Sequence, residues 1–320
     1  MAKKAKIIKS TLPKIDCDWV MIDVSNILFR TFFVARPGDD DITVAGMAAH
    51  TALTTINKYF KQLKPKRGMV MAFDRTSWRK AYTASDEAHP ASKPYKGNRR
   101  QDMTPAQVLK FEQFLAHIKE FEELITNHTN VITLAGDNLE ADDVIAGFCQ
   151  INEGSDIVII SADSDLLQLK RYNGVRVISP MYDKELMLED YNGDPMYYLF
   201  QKCMRGDPTD NIQSAFPRCR TSRIKKAYED PFERVQLFKE TWTDEKNNTI
   251  LVEDMFYENQ KLIDLSRQPD NIRLAILTAV DNAMDKEHKF SMFHILKFCG
   301  KYELKRITEN IDTYIPMLSH

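Results

Sequence analysis

The stretch Asp156 to Asp165, DIVIISADSD, constrains the chain more than any other. Four consecutive β-branched residues, Ile157, Val158, Ile159 and Ile160, stop abruptly and are followed by Asp163 and Asp165. A short run of this kind reads as a strand buried on both faces of a sheet. Acids just past its carboxyl end then lie where open α/β sheets place their ligands. The pattern recurs. Trp19 to Ile22 ends on Asp23, Met69 to Phe73 ends on Asp74, and Val131 to Leu134 is followed by Glu140-Ala141-Asp142-Asp143. If these strands are parallel neighbours, Asp23, Asp74, Glu140, Asp142, Asp143, Asp163 and Asp165 converge on one rim. Such a cluster repels itself unless cations fill it, which is the signature of a magnesium site.

Strands expected at 18–23, 69–74, 131–134, 157–161 and 175–179 alternate with helical segments, which implies a mostly parallel sheet in an α/β domain. Beyond about residue 190 strand signals disappear. Helices are expected from Asp194-Pro195 to Met204, from Thr221 to Tyr228, and over 262–284 and 290–315, with breaks at Pro269 and Gly300. The expected organisation is an α/β domain over 1–189 and a helical domain over 190–320. Between them in character, residues 75–103 form a long polar insertion, expected to be mobile on its own because its apolar content is low. Thr104-Pro105 reads as a helix start.

Composition excludes little. The 320 residues carry a net charge of −2, so affinity for a polyanion has to come from charge distribution. Five scattered cysteines without a CxxC pair read as reduced thiols in a cytosolic setting. The basic start Met1 to Lys9 lacks the apolar run of a signal peptide and reads as a solvated tail, and no membrane span is expected.

Two divalent ions about 3.5–4 Å apart can activate a water and stabilise the leaving oxygen of a phosphodiester. Magnesium prefers oxygen ligands, so carboxylates suit it. Asp207 and Asp210, three apart in Arg205-Gly206-Asp207-Pro208-Thr209-Asp210-Asn211, add two acids from the helical region. Capping explains any single Asp well, but it explains four clusters beside one rim poorly. Basic residues gather twice. Lys93, Lys96, Arg99 and Arg100 surround Tyr95, a mixture suited to single-stranded nucleic acid. Arg218, Arg220, Arg223, Lys225 and Lys226 follow Asp210 and suit duplex backbone.

Together these motifs resemble the 5′-nucleases, or flap endonucleases, and among them the T-even phage ribonuclease H type. Five motifs in order carry the resemblance: Asp23, Asp74, Glu140-Ala141-Asp142-Asp143, Ser161-Ala162-Asp163-Ser164-Asp165 and Gly206-Asp207-Pro208-Thr209-Asp210-Asn211. Tyr257 to Leu265 resembles the family's C-terminal helical region. The resemblance implies a PIN-like nuclease domain, a helix–turn–helix DNA-binding element, and two Mg2+ ions, for which Mn2+ substitutes. Asp23, Asp74, Glu140, Asp142 and Asp163 would form the tighter metal shell, and Asp165, Asp207 and Asp210 the looser one. It makes Tyr95 to Arg99 a basic arch in which Lys96 and Arg99 contact the scissile phosphate and Tyr95 stacks on a base. Arg30 would sit near the same phosphate. The implied substrates are RNA–DNA duplexes and 5′-flap or forked DNA, cut to remove lagging-strand primers. A single-strand-binding protein or sliding clamp is a candidate partner, and the expected protein is a cytoplasmic monomer, in the host cytoplasm if phage-encoded. Two positions depart from the pattern. Val24 stands where the family has Gly, and Ile212 to Ser222 lacks the G-x-G turn that holds a monovalent cation. Duplex binding is therefore assigned to Arg218, Arg220 and Arg223, with no potassium site. The rival readings are a catalytically inactive DNA-structure-binding protein, a D-x-D phosphatase (disfavoured by Asp23-Val24-Ser25) and a compact PIN-type RNase.

Overall fold

The computed structural model describes residues 15–34, 39–99, 103–244, 246–287 and 289–320. The N-terminal tail, the Arg36-Pro37-Gly38 turn and Arg100 lie outside them.

The chain runs β1 (Trp19–Asp23), α1 (Val24–Val34), α2 (Asp41–Leu63), β2 (Gly68–Ala72), α3 (Trp78–Thr83), α4 (Pro105–His128), β3 (Ile132–Leu134), α5 (Ala141–Ile151) and β4 (Ile157–Ile160). A 3-10 helix (Ser164–Arg171), β5 (Val175–Ser179) and β6 (Lys184–Glu185) complete the sheet region. The strand order is β3-β2-β1-β4-β5-β6, with β5–β6 antiparallel and the other pairs parallel. Order therefore reverses between β1 and β4, and the crevice beyond their carboxyl ends is where such sheets bind ligands.

β2 and β4 are apolar throughout, and β1 up to its terminal Asp23, because both faces are covered. Trp19 and Met21 enter one core while Val20 and Ile22 enter the other. Ile157 and Ile159 likewise part from Val158 and Ile160, as a period of two requires. Two capped helices stiffen the second face. Asp40 accepts from the Thr43 amide at the start of α2 (2.9 Å), and Thr104 and Gln107 form a capping box on α4 with Pro105 in its first turn.

Beyond β6 the chain forms α6 (Pro195–Arg205), a 3-10 turn (Pro208–Asp210), α7 (Thr221–Glu229), α8 (Pro231–Phe238), α9 (Val252–Ile263) and α10 (Asp270–Met284). It ends in α11 (Met292–Lys301), α12 (Lys305–Glu309) and α13 (Ile315–Leu318). This half closes on the sheet. Ile276 and Val280 of α10 enter the core with α5, while Ile295, Phe298 and Met317 enter the other core with α2 and α4. No helix among the described residues is long and apolar enough to cross a membrane.

Two expectations are corrected and one is borne out. Strands do occur past residue 190, as a hairpin of β7 (Thr241–Thr243) and β8 (Thr249–Leu251). Three-residue strands are too short to show an alternation in sequence. The break expected at Gly300 within 290–315 is present, falling after Lys301, where Glu303 has φ +53°. Most consequentially, residues 75–99 are packed. Trp78, Arg79, Tyr82 and Tyr95 are all buried, held by partners far along the chain.

Candidate metal and nuclease site

Asp23 is the last residue of β1, and its oxygens accept from the Asn26 amide (3.0 Å) and the Ser161 hydroxyl (2.8 Å). Burial pushes its carboxyl up to about 7, with the nearby Asp74 charge adding to the effect. Asp74, two residues past β2, accepts from the Ala141 amide at the start of α5 (2.8 Å). Asp163 caps the 3-10 helix after β4 by accepting from the Asp165 amide (2.8 Å). The charges reach one another across the rim: Asp74 and Asp163 act on Asp23, Glu140 on Asp74, and Asp207 and Asp210 on Asp163. The acids predicted from strand ends thus share one site with the acids of the helical region.

Glu140 is the centre of a dense set of donors. Its Oε2 accepts from Ser77 (2.6 Å) and Arg79 (3.1 Å), and the Tyr95 hydroxyl lies 3.0 Å away; Oε1 faces the Lys96 ammonium. Burial alone would raise this carboxyl, but Lys96 and Arg79 more than offset it and hold it at about 2. Asp143 is fully buried, and both its oxygens accept from Arg79, at 2.9 and 2.8 Å. Asp142, one residue earlier, is different. Its Oδ1 is buried with no hydrogen-bond partner, and burial, then the Asp143 charge, pushes its carboxyl up.

Ligand oxygens of Glu140, Asp142 and Asp143 lie within 4.8 Å of one another. Asp143 is taken by Arg79, and Glu140 by Arg79 and Lys96, so Asp142, with Asp23, Asp74 and Asp163, fits a hard divalent cation. The orphaned Asp142 oxygen is the particular atom such an ion would satisfy.

The other predicted residues are placed differently. Lys96 joins the acids directly, 3.6 Å from Asp210 as well as against Glu140, and Arg99 donates to Asp210 (2.6 Å). Tyr95 is 5 % exposed, with its hydroxyl 2.7 Å from Asp210. It is part of the core here, and its ring is not available to stack on a base. Asp165 and Asp207 share Lys202, whose ammonium is 2.9 Å from Asp207. Arg30 and Lys93 are exposed, as are Arg218 and Arg220. Arg223 pairs with Glu240 over the Phe216 ring, and Lys225 lies 3.7 Å from Glu229.

Sequence reasoning missed Arg79 and Lys202. Arg79 follows a buried Ser77 cap and an aromatic, and its Nε also donates to the Leu262 carbonyl (2.7 Å). Lys202 stands five residues before Asp207 on α6, whose end is fixed by Gly206. There φ is +70°, and a Cβ would meet the Ile212 and Gln213 carbonyls at 2.4 Å.

An α/β sheet with a carboxylate rim at its switch point, closed by a helical half that supplies two more acids, defines a metal-dependent phosphodiesterase class. The chain belongs to the 5′-3′ exonuclease family: the model of its N-terminal resolvase-like domain matches residues 18–192, more than half of the sequence. It is 28% identical to Ribonuclease H of Enterobacteria phage T4 over 267 residues, 79% of this chain and 82% of that protein. It is 31% identical to DNA polymerase I of Caldicellulosiruptor bescii over 208 residues, 60% of this chain but 22% of that protein. Among solved structures, a bacteriophage T5 flap endonuclease in a pseudo-enzyme-product complex with DNA and metal ions shares the fold. Its TM-score is 0.59 at 20% identity, over 89% of this chain and 99% of that one. The catalytic core of Rad2 in complex with DNA substrate aligns with a TM-score of 0.51 at 14% identity, over 95% and 93%.

Proposed function

We propose that this 5′-nuclease is magnesium-dependent, hydrolyses phosphodiesters of 5′-flap DNA and RNA–DNA duplexes, and removes lagging-strand primers in the host cytoplasm. The observation that carries the reading is the set Asp23, Asp74, Asp142 and Asp163, acids whose carboxyls burial pushes up and which have no cationic hydrogen-bond partner among the described residues. When bound, magnesium supplies a water activated at neutral pH and neutralises the leaving oxygen. The chain's own residues do the rest. Glu140, kept ionised by Lys96 and Arg79, orients the rim. The Lys96 ammonium and Arg99 guanidinium, at the edge of the acids, hold a phosphate and stabilise charge that develops on it. The exposed Arg30, Lys93, Arg218 and Arg220 contact strand and duplex phosphates, as does Arg223 once released from Glu240. The relatives named Ribonuclease H and DNA polymerase I support a replication role.

The test is cleavage of matched 5′-flap DNA and RNA–DNA substrates across a magnesium titration, with chelator and manganese controls. The expected result is release from the 5′ end, abolished by chelation and restored by manganese. Tight binding without turnover in either metal would instead favour a structure-binding protein.

A further inference from the structure

Lys96 sits in an uncommon backbone conformation, with φ +54°. A non-glycine residue persists there only where its surroundings fix it. The turn around it is tight: the Gly97 amide donates to the Pro94 carbonyl (2.9 Å), and a Cβ on Gly97 would meet that oxygen at 2.9 Å.

What fixes the turn comes from beyond residue 200. The Lys96 amide donates to the Asp210 carbonyl (2.9 Å), and Asn211 Nδ2 donates to the Pro94 carbonyl (2.8 Å). Gln213 Nε2 donates to the Ala91 carbonyl (2.6 Å). Glu258, on α9 and 8 % exposed, accepts from the Ser92 and Tyr82 hydroxyls, both at 2.7 Å. The two last contacts are linked, since Asn259 Nδ2, beside Glu258, donates to the Gln213 carbonyl (2.9 Å). A carboxylate accepting from two neutral hydroxyls makes stronger, more directional bonds than a neutral acceptor would.

We propose that Gln213 and Glu258 are positioning residues, a latch by which the helical half holds residues 91–98 so that the Lys96 ammonium is aimed at the acidic rim. Neither residue touches a rim carboxylate. The inference rests on the nuclease reading for its kinetic consequence, but the latch itself is a statement about the fold.

The experiment uses the full chain with a 5′-flap DNA in magnesium, comparing Gln213→Ala, Glu258→Ala and Glu258→Gln. Single-turnover rate, DNA affinity in chelator and hydrogen exchange at the Lys96 and Gly97 amides are all measured. The expected result is a roughly 10- to 100-fold slower cleavage step in the alanine variants, the size of loss a small misplacement causes. DNA affinity stays near that of the wild type, exchange at both amides accelerates, and Glu258→Gln, which keeps an acceptor, recovers most of the rate. Adding Gln213→Ala to Lys96→Ala slows the rate no further, because both changes remove one contribution. Additive losses, affinity falling as far as rate, a slower step with exchange unchanged, or lower thermal stability at full rate would each overturn the latch. If the unsubstituted protein does not cleave at all, the nuclease reading fails, and the exchange comparison alone decides the latch: unchanged exchange in the alanine variants overturns it.

Discussion

Around the acidic rim the carboxylates divide by what faces them. Glu140, Asp143, Asp165, Asp207 and Asp210 each pair with a lysine or arginine of the chain itself, namely Lys96, Arg79, Lys202 or Arg99. Among the described residues, Asp23, Asp74 and Asp163 accept only from neutral amides or hydroxyls, and one oxygen of Asp142 accepts from nothing. Asp142 and Asp143 show the contrast most sharply, being adjacent in sequence. One acid anchors a buried guanidinium and the other is left facing its neighbours' charge. The difference separates the acids that hold the site together from those whose charge an added dication would relieve.

Removing the internal cation should break the first group. Arg79→Met leaves Glu140 and Asp143 without their buried partner, and is expected to cost about 3–5 kcal/mol in chemical denaturation. A loss well under 1 kcal/mol would mean that Arg79 does not compensate them. Asp142→Asn should do the opposite, raising stability in chelator by removing a repelling charge while slowing magnesium-dependent cleavage ~10²–10³-fold. Destabilisation by Asp142→Asn would place that residue in the first group. Magnesium itself sharpens the contrast. At a concentration of ~100 times its dissociation constant it should stabilise the unsubstituted protein by about 2.7 kcal/mol, read as a rise in Tm, and Asp142→Asn by less. The smallest effect is expected at an exposed ion pair. Breaking the exposed Arg223–Glu240 pair with Arg223→Ala should change stability by only ~0–1 kcal/mol, and weaken duplex binding without altering the cleavage step at saturating DNA.

The strand-end acids were legible because β-branched runs with a sudden acidic stop have few other structural uses. Division of those acids into compensated and uncompensated was not, because Arg79 and Lys202 look in sequence like ordinary helix-surface cations. Residues 75–99 misled for a related reason. Low apolar content argues for mobility only if a segment has to hold itself. Here Tyr82 and Ser92 bind Glu258, Arg79 binds the Leu262 carbonyl, and Tyr95 lies between Glu140 and Asp210. Those partners are up to 183 residues away, beyond any local pattern. Tyr95 shows the functional cost of that misreading: an aromatic among cations suggested base stacking, whereas its ring fills the core and its hydroxyl joins the acids.

The most direct test of a metal-dependent nuclease centre on this rim is Asp163→Asn, assayed on a 5′-flap DNA in magnesium with DNA affinity measured in parallel. The account predicts that cleavage is abolished while affinity stays close to that of the unsubstituted protein. Unimpaired cleavage by Asp163→Asn would contradict it.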